Sequence, residues 1–202
     1  GGFNKDYMSG HPAGFPVESP SCPGVITGAP HDGIALEVTL QVPSWAKGYS
    51  FDSNFYTFEW PQYICSQYND FYVVIQSPFP AGSTNGNVVF DPLGNPISVN
   101  TTFIGACGCA GGPPCMAGGI NFDCPLGTGI LAGTGFGAES GSDHAATGWL
   151  RTSVPLQEST DQITIRFTIY DSGDGILDST VLIDKFQWLT GVVSGKTELV
   201  SQ

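Results

Sequence analysis

Two stretches decide the fold: Ile34-Ala35-Leu36-Glu37-Val38-Thr39-Leu40-Gln41-Val42 and Ile163-Thr164-Ile165-Arg166-Phe167-Thr168-Ile169-Tyr170. In each, a β-branched or large apolar residue alternates with a smaller or polar one. Successive side chains of a strand point to opposite faces, so this period of two predicts strands with one face buried and one wet. The rest of the chain is punctuated the same way. Residues 49–58 read as an aromatic strand and 71–76 as a short β-branched one. Residues 87–90 and 96–103 flank the turn Asp91-Pro92-Leu93-Gly94-Asn95, and residues 149–153, 180–188 and 192–200 complete the set. No segment sustains a 3.6-residue apolar repeat. The pattern predicts an all-β fold of about nine strands, an antiparallel β-sandwich or jelly roll with long Gly/Pro-rich, disulfide-stapled loops.

Residues 1–33 carry Gly, Pro and Ser without periodicity and read as an extended N-terminal arm. Residues 34–202 read as one sandwich domain, with a Gly-rich insertion at about 105–145 that has little regular structure of its own. A loop of that length is expected to be functional or cross-linked. Strands on both sides of it need each other to bury their apolar faces, so we expect a loop within one domain.

Composition narrows the function. Lys and Arg number 6 against 18 Asp and Glu, a net charge of −12, which disfavours nucleic-acid binding because phosphate contacts need clustered cations. There is no apolar run long enough to span a membrane as a helix. Hydrophobic residues make up 41% of the chain, enough for a core and too many for disorder. An even set of six cysteines (Cys22, Cys65, Cys107, Cys109, Cys115 and Cys124) points to an oxidised, extracellular or cell-surface protein. Four of them fall between 107 and 124, where apolar side chains are sparse and disulfides substitute for packing. Their spacing does not match common structural zinc or iron–sulfur patterns, and it does not select a pairing.

The acidic run Tyr170-Asp171-Ser172-Gly173-Asp174-Gly175-Ile176-Leu177-Asp178 lies in a turn between two strands, with Asp184 beyond it. Closely spaced carboxylates on a Gly-rich turn suit a hard cation such as Ca2+, although the EF-hand pattern is absent. The plainer reading is a turn held by Asp-to-backbone hydrogen bonds. Alternation places Leu182, Asp184, Phe186 and Trp188 on one face; if that face is internal, Asp184 needs a partner. A second cluster, Asp52, Glu59, Asn69 and Asp70, supplies further candidate ligands. Trp60, Tyr63 and Tyr68 beside it suit sugar stacking, or else cover the edge of the sandwich.

Catalytic signatures are weak, and we assign no catalytic residue. Glu59 with another acid is the basis for a glycan-hydrolase alternative. A Gly-x-Ser-x-Gly elbow is missing. The dipeptides His31-Asp32 and Asp143-His144 lack the usual spacing of a histidine metal site.

Three blocks resemble a family. They are Gly10-His11-Pro12-Ala13-Gly14-Phe15, the 50–70 segment with Phe58-Glu59-Trp60-Pro61-Gln62-Tyr63, and the 147–186 segment with Leu177-Asp178-Ser179-Thr180-Val181-Leu182-Ile183-Asp184-Lys185-Phe186. Together they resemble the choice-of-anchor domains, closest to type L, of exported bacterial surface proteins. The resemblance implies an exported β-sandwich without known catalysis. It also implies that this chain is a fragment or processed form. The expectation is an adhesion or carbohydrate-binding module stabilised by Ca2+, with a surface glycan or neighbouring subunits as partners. The alternative is a homo-oligomeric structural subunit of a filament or surface layer, its N-terminal arm pairing with a neighbour's sheet edge.

Overall fold

The computed structural model describes residues 11–137 and 144–200. Gly10 and Asp143, both named above, lie outside them. Two antiparallel sheets face one another. The first has the order β1-β9-β3-β4, from β1 (Pro30–Gln41), β9 (Gln162–Ser172), β3 (Phe71–Ser77) and β4 (Ile97–Ser98). The second has the order β10-β2-β8-β11, from β10 (Ser179–Leu189), β2 (Gly48–Thr57), β8 (Leu150–Pro155) and β11 (Lys196–Leu199), and β7 (Ala145–Ala146) also pairs with β2. The two strongly alternating stretches are hydrogen-bonded to each other: Ile34 faces Ile169, Leu36 faces Phe167, Val38 faces Ile165 and Leu40 faces Ile163. Directly opposed residues share a face, so the two alternations reinforce one another.

The main core is formed between the sheets by Tyr49, Phe51 and Phe55 of β2, Tyr72 and Val74 of β3, Leu150 and Val154 of β8, and Ile163, Ile165 and Phe167 of β9. Phe51 meets Phe167 edge-to-face across the sandwich at 5.2 Å. β3 is buried on both faces, which is why it reads as a continuous apolar run rather than an alternation. Its outer face is covered by the N-terminal segment, where Phe15 packs with Phe71, Val73 and Tyr170. That segment also hydrogen-bonds to the body through Gly28 N–H to the Gln67 carbonyl at 2.8 Å, and Cys22–Cys65 ties it to the loop after β2.

The 105–145 insertion contains a short hairpin, β5 (Cys115–Ala117) and β6 (Ile120–Phe122), and a 3-10 turn over Gly129–Leu131. Cys107–Cys124 and Cys109–Cys115 cross-link it. All six cysteines are paired. The expected strand over 96–103 is cut to β4 because Asp91 gathers the backbone on either side of it: its carboxylate accepts from Leu93, Asn95 and Thr102 N–H at 2.8–2.9 Å and from the Thr102 hydroxyl at 2.7 Å.

The shared face expected for Leu182, Asp184, Phe186 and Trp188 is broken. β10 pairs in register with β2 as far as Asp184–Asp52 and resumes at Gln187–Ser50, and Lys185 takes a left-handed φ of 52°. This bulge turns Phe186 and Trp188 onto Tyr49 of the core, at 5.5 and 6.2 Å between rings, and leaves Asp184 in solvent with its carboxylate accepting from the Lys185 N–H at 2.7 Å.

Candidate cation site at one end of the sandwich

The acidic residues of the two sequence clusters meet where β3 begins and β9 ends. Phe71 faces Tyr170 in the β3–β9 ladder, and one step further the Asn69 N–H donates to the Ser172 carbonyl at 3.3 Å. Asp70 and Asp171 are therefore neighbours, close enough for the charge of each carboxyl to act on the other. Asp70 also accepts from the Ser179 hydroxyl at 2.6 Å, which brings in the start of β10. Glu59 enters from the far end of β2. Its backbone N–H donates to Thr57 Oγ1 at 3.0 Å and its carbonyl accepts from Tyr63 N–H at 3.0 Å, holding the segment in a turn. From the other side, β1 sets His31 opposite Asp171, with Asp32 next to it at a φ of 48°.

The turn carrying Asp174 is pinned by close approach. Gly173 N–H donates to the Ala29 carbonyl at 2.8 Å. At a φ of 98°, a Cβ on Gly173 would meet the Tyr68 ring at 2.6 Å, so only glycine fits. The Asp174 carboxylate accepts from Ile176 N–H at 3.1 Å.

Burial and mutual repulsion dominate the electrostatics. Glu59 is 3% exposed, Asp70 1% and Asp171 7%. Loss of water, then the nearby Asp171 and Asp174 charges, push the Glu59 carboxyl up to about 8. Loss of water, then Asp178, Asp32 and Asp174, push Asp171 up to about 7. Asp70 is raised well above the usual carboxylate range by burial first, and then by Asp171 and Glu59. Among the described residues, the ion pairs are Arg151–Asp52, Lys185–Asp52, Arg166–Glu37 and Lys196–Glu198, and none of them reaches this cluster.

Asp91 and Glu59 separate a structural carboxylate from a candidate ligand. Buried Asp91 is surrounded by donors. Buried Glu59 Oε2 has no hydrogen-bond partner, and neither does Asn69 Oδ1 or Nδ2, although Asn69 is fully buried. Buried polar atoms are nearly always satisfied, so unpartnered oxygens beside crowded carboxylates call for a cation or ordered water. The donors are oxygens, which fits a hard cation such as Ca2+. No three His, Cys, Asp or Glu side chains of the described residues are already drawn together as a formed metal centre. Half-buried Asp174 and exposed Asp178 sit on the adjoining turn, near enough for their charges to act on Asp171.

Two predicted ligands fall elsewhere. Asp52 is buried on the opposite face of β2 from Phe51. It is neutralised by a two-pronged contact from Arg151, with Nε to Oδ1 at 2.7 Å and Nη2 to Oδ2 at 2.8 Å, and by Lys185 at 3.5 Å. The Arg151 guanidinium holds its carboxyl below the usual range. Asp184 is its exposed register partner. Of the aromatic candidates, Trp60 is 1% exposed, donates its indole N–H to the Gly108 carbonyl at 3.2 Å and packs edge-to-face on Phe122. Its faces are core surface. Tyr63 and Tyr68 remain half-buried and meet edge-to-face at 5.3 Å. Asp32, absent from the acidic clusters read along the chain, is brought to Asp171 by the β1–β9 pairing. The only hint in the sequence is its place one residue after His31, just ahead of the clearest strand.

Comparison with known proteins finds no matching family model, no matching curated protein and no matching solved structure.

Proposed function

We propose that this chain is an exported, non-catalytic cell-surface module for adhesion or carbohydrate binding, with one end of its sandwich braced by Ca2+. Glu59, Asp70 and Asp171 hold the ion, with Asp174 and Asp178 closing from the turn and the Asn69 side-chain oxygen adding a neutral ligand. One observation carries the reading: three buried carboxyl groups lie near enough to repel one another, Glu59 Oε2 lacks a hydrogen-bond partner, and no Lys or Arg of the described residues pairs with them. Three disulfides favour an oxidising compartment. No helix of the described residues is long and apolar enough to cross a membrane. Membership of the choice-of-anchor surface domains is part of the proposal and rests on the sequence blocks quoted for it. The non-catalytic reading is supported by the burial of Glu59 and Asp70, which keeps both carboxyls from direct contact with a glycan. For a glycan partner, the half-buried pair Tyr63 and Tyr68 beside the acidic end is the candidate contact.

The test is thermal unfolding in Ca2+ and in excess EDTA, together with Tb3+ luminescence sensitised by the nearby aromatic rings. A ligand that binds only the folded state stabilises it by about 2.7 kcal/mol at a hundred times its Kd. A Ca2+-dependent rise in Tm, abolished in Glu59→Gln, is expected. Identical melting in both buffers, without Tb3+ binding, refutes the cation site.

A further inference from the structure

An interaction surface lies at the other feature the strands leave unresolved, the outer edge of β1. The four outermost strands of the two sheets are β1, β4, β10 and β11. Exposed edges invite pairing with another chain, and proteins blunt them with short strands, charges or bulges. β4 has only 2 residues. β11 has 4 and carries Lys196 and Glu198. β10 is interrupted by the bulge that carries Asp184 and Lys185. β1 has 12 residues, and its bulge is confined to the start, between His31 and Ile34. Beyond that bulge its one charge, Glu37, is already paired with Arg166 at 3.5 Å. On the core-side face of β1, Ile34 is 68% and Leu36 56% exposed, where a further strand would cover them.

We propose that β1 is the contact by which two copies of this chain associate, antiparallel about a two-fold axis at Leu36. The sequence of β1 is self-complementary in that register. Leu36 meets its own counterpart, and Ile34 meets Val38 of the second copy on the same apolar face. Glu37 faces Ala35 of the second copy, so the pairing sets no like charges opposite one another. This matters in a chain of net charge −12, which otherwise resists self-association. The result is a closed pair with one continuous sheet, the commonest symmetry of homo-oligomers. The proposal does not depend on the cation site.

Sedimentation velocity of the full chain over a wide concentration range tests it. The expected mass rises from one copy to two and stops there. Leu36→Lys, at an exposed position, is expected to give one copy at every concentration with unchanged β-sheet circular dichroism. Leu36→Cys is expected to close a disulfide between two copies, whereas Leu182→Cys on β10 does not. A chain that stays single at the highest concentration overturns the proposal, as does undiminished association of Leu36→Lys. Growth beyond two copies also overturns it, because a closed two-fold pair leaves no β1 edge free. Slow amide exchange along the outer edge of β1 in a single copy also overturns it.

Discussion

Asp70 and Asp171 stand side by side just beyond the last β3–β9 pair, Phe71 opposite Tyr170, with their buried carboxyls close enough to act on each other, although about a hundred residues separate them in the chain. Two carboxylates held close together in a buried site cannot both remain ionised at low cost; a retained proton or a cation relieves the repulsion. Glu59 adds a third carboxyl from the opposite sheet. The end of the sandwich thus stores repulsion that the proposed divalent ion would convert into attraction, and its stability should then depend on both metal and pH.

Neutralising one member has opposite effects with and without metal. In EDTA, Asp171→Asn is expected to raise Tm, because it removes a buried charge repelled by Asp178, Asp32 and Asp174. In saturating Ca2+ the same variant is expected to melt below the parent, having lost a ligand. A paired set of melting curves reads the crossover, and a variant that shifts in the same direction in both buffers contradicts the cluster's role.

The metal-free protein is expected to be more stable in mild acid than in mild base. Glu59 rises from 4.5 to about 8 and Asp171 from 3.8 to about 7 on folding. Between those limits the folded chain keeps protons that the unfolded chain has released, so stability falls as pH rises through the window. Each full pH unit costs at most about 1.4 kcal/mol per group. Denaturant unfolding in EDTA from pH 4 to 9, a range of about five units, should show the decline. Ca2+ should flatten or reverse it, since metal binding favours the deprotonated carboxylates.

Asp52 provides the control for a buried carboxylate already neutralised by protein. A fully buried ion pair costs about 3–5 kcal/mol to break from one side; because Arg151 and Lys185 stay partly hydrated, Asp52→Ala is expected to lose less, about 2 kcal/mol. The loss should be the same with Ca2+ and with EDTA. A change in Ca2+ affinity measured by titration would place Asp52 within reach of the ion.

The disulfides should rank by the loop each one closes. Cys22–Cys65 spans 43 residues and Cys109–Cys115 spans 6. Loop-closure entropy assigns about 4 kcal/mol to the first and about 2 kcal/mol to the second. Cys22→Ser/Cys65→Ser should therefore unfold at distinctly lower denaturant than Cys109→Ser/Cys115→Ser, and the reverse order would point to a larger packing role for the insertion.

The identity of the long strands was local information, whereas the strand expected over 87–90 makes only isolated bridges. The alternations at Ile34–Val42 and Ile163–Tyr170 specify which side chains face inward, and the hydrophobic effect acts on that pattern wherever the partner strand comes from. The same holds for the turn at Asp91 and for the expectation that the Cys107–Cys124 stretch is cross-linked. Partner choice depended on contacts distant in sequence. Asp32, Asp70 and Asp171 converge only because β9 lies between β1 and β3, and Asp52 leaves the set only because β8 delivers Arg151 to it. The bulge after Asp184 was equally hidden, since local alternation cannot register a residue that the facing strand leaves unmatched. The all-β class, the faces of β1 and β9 and the oxidised cysteines were legible along the chain. Which carboxylates become neighbours and which are neutralised were settled by the packing of the two sheets, and which cysteines pair by the fold of the insertion and the path of the N-terminal segment, because burial, Coulomb energies and disulfide geometry depend on distances in space.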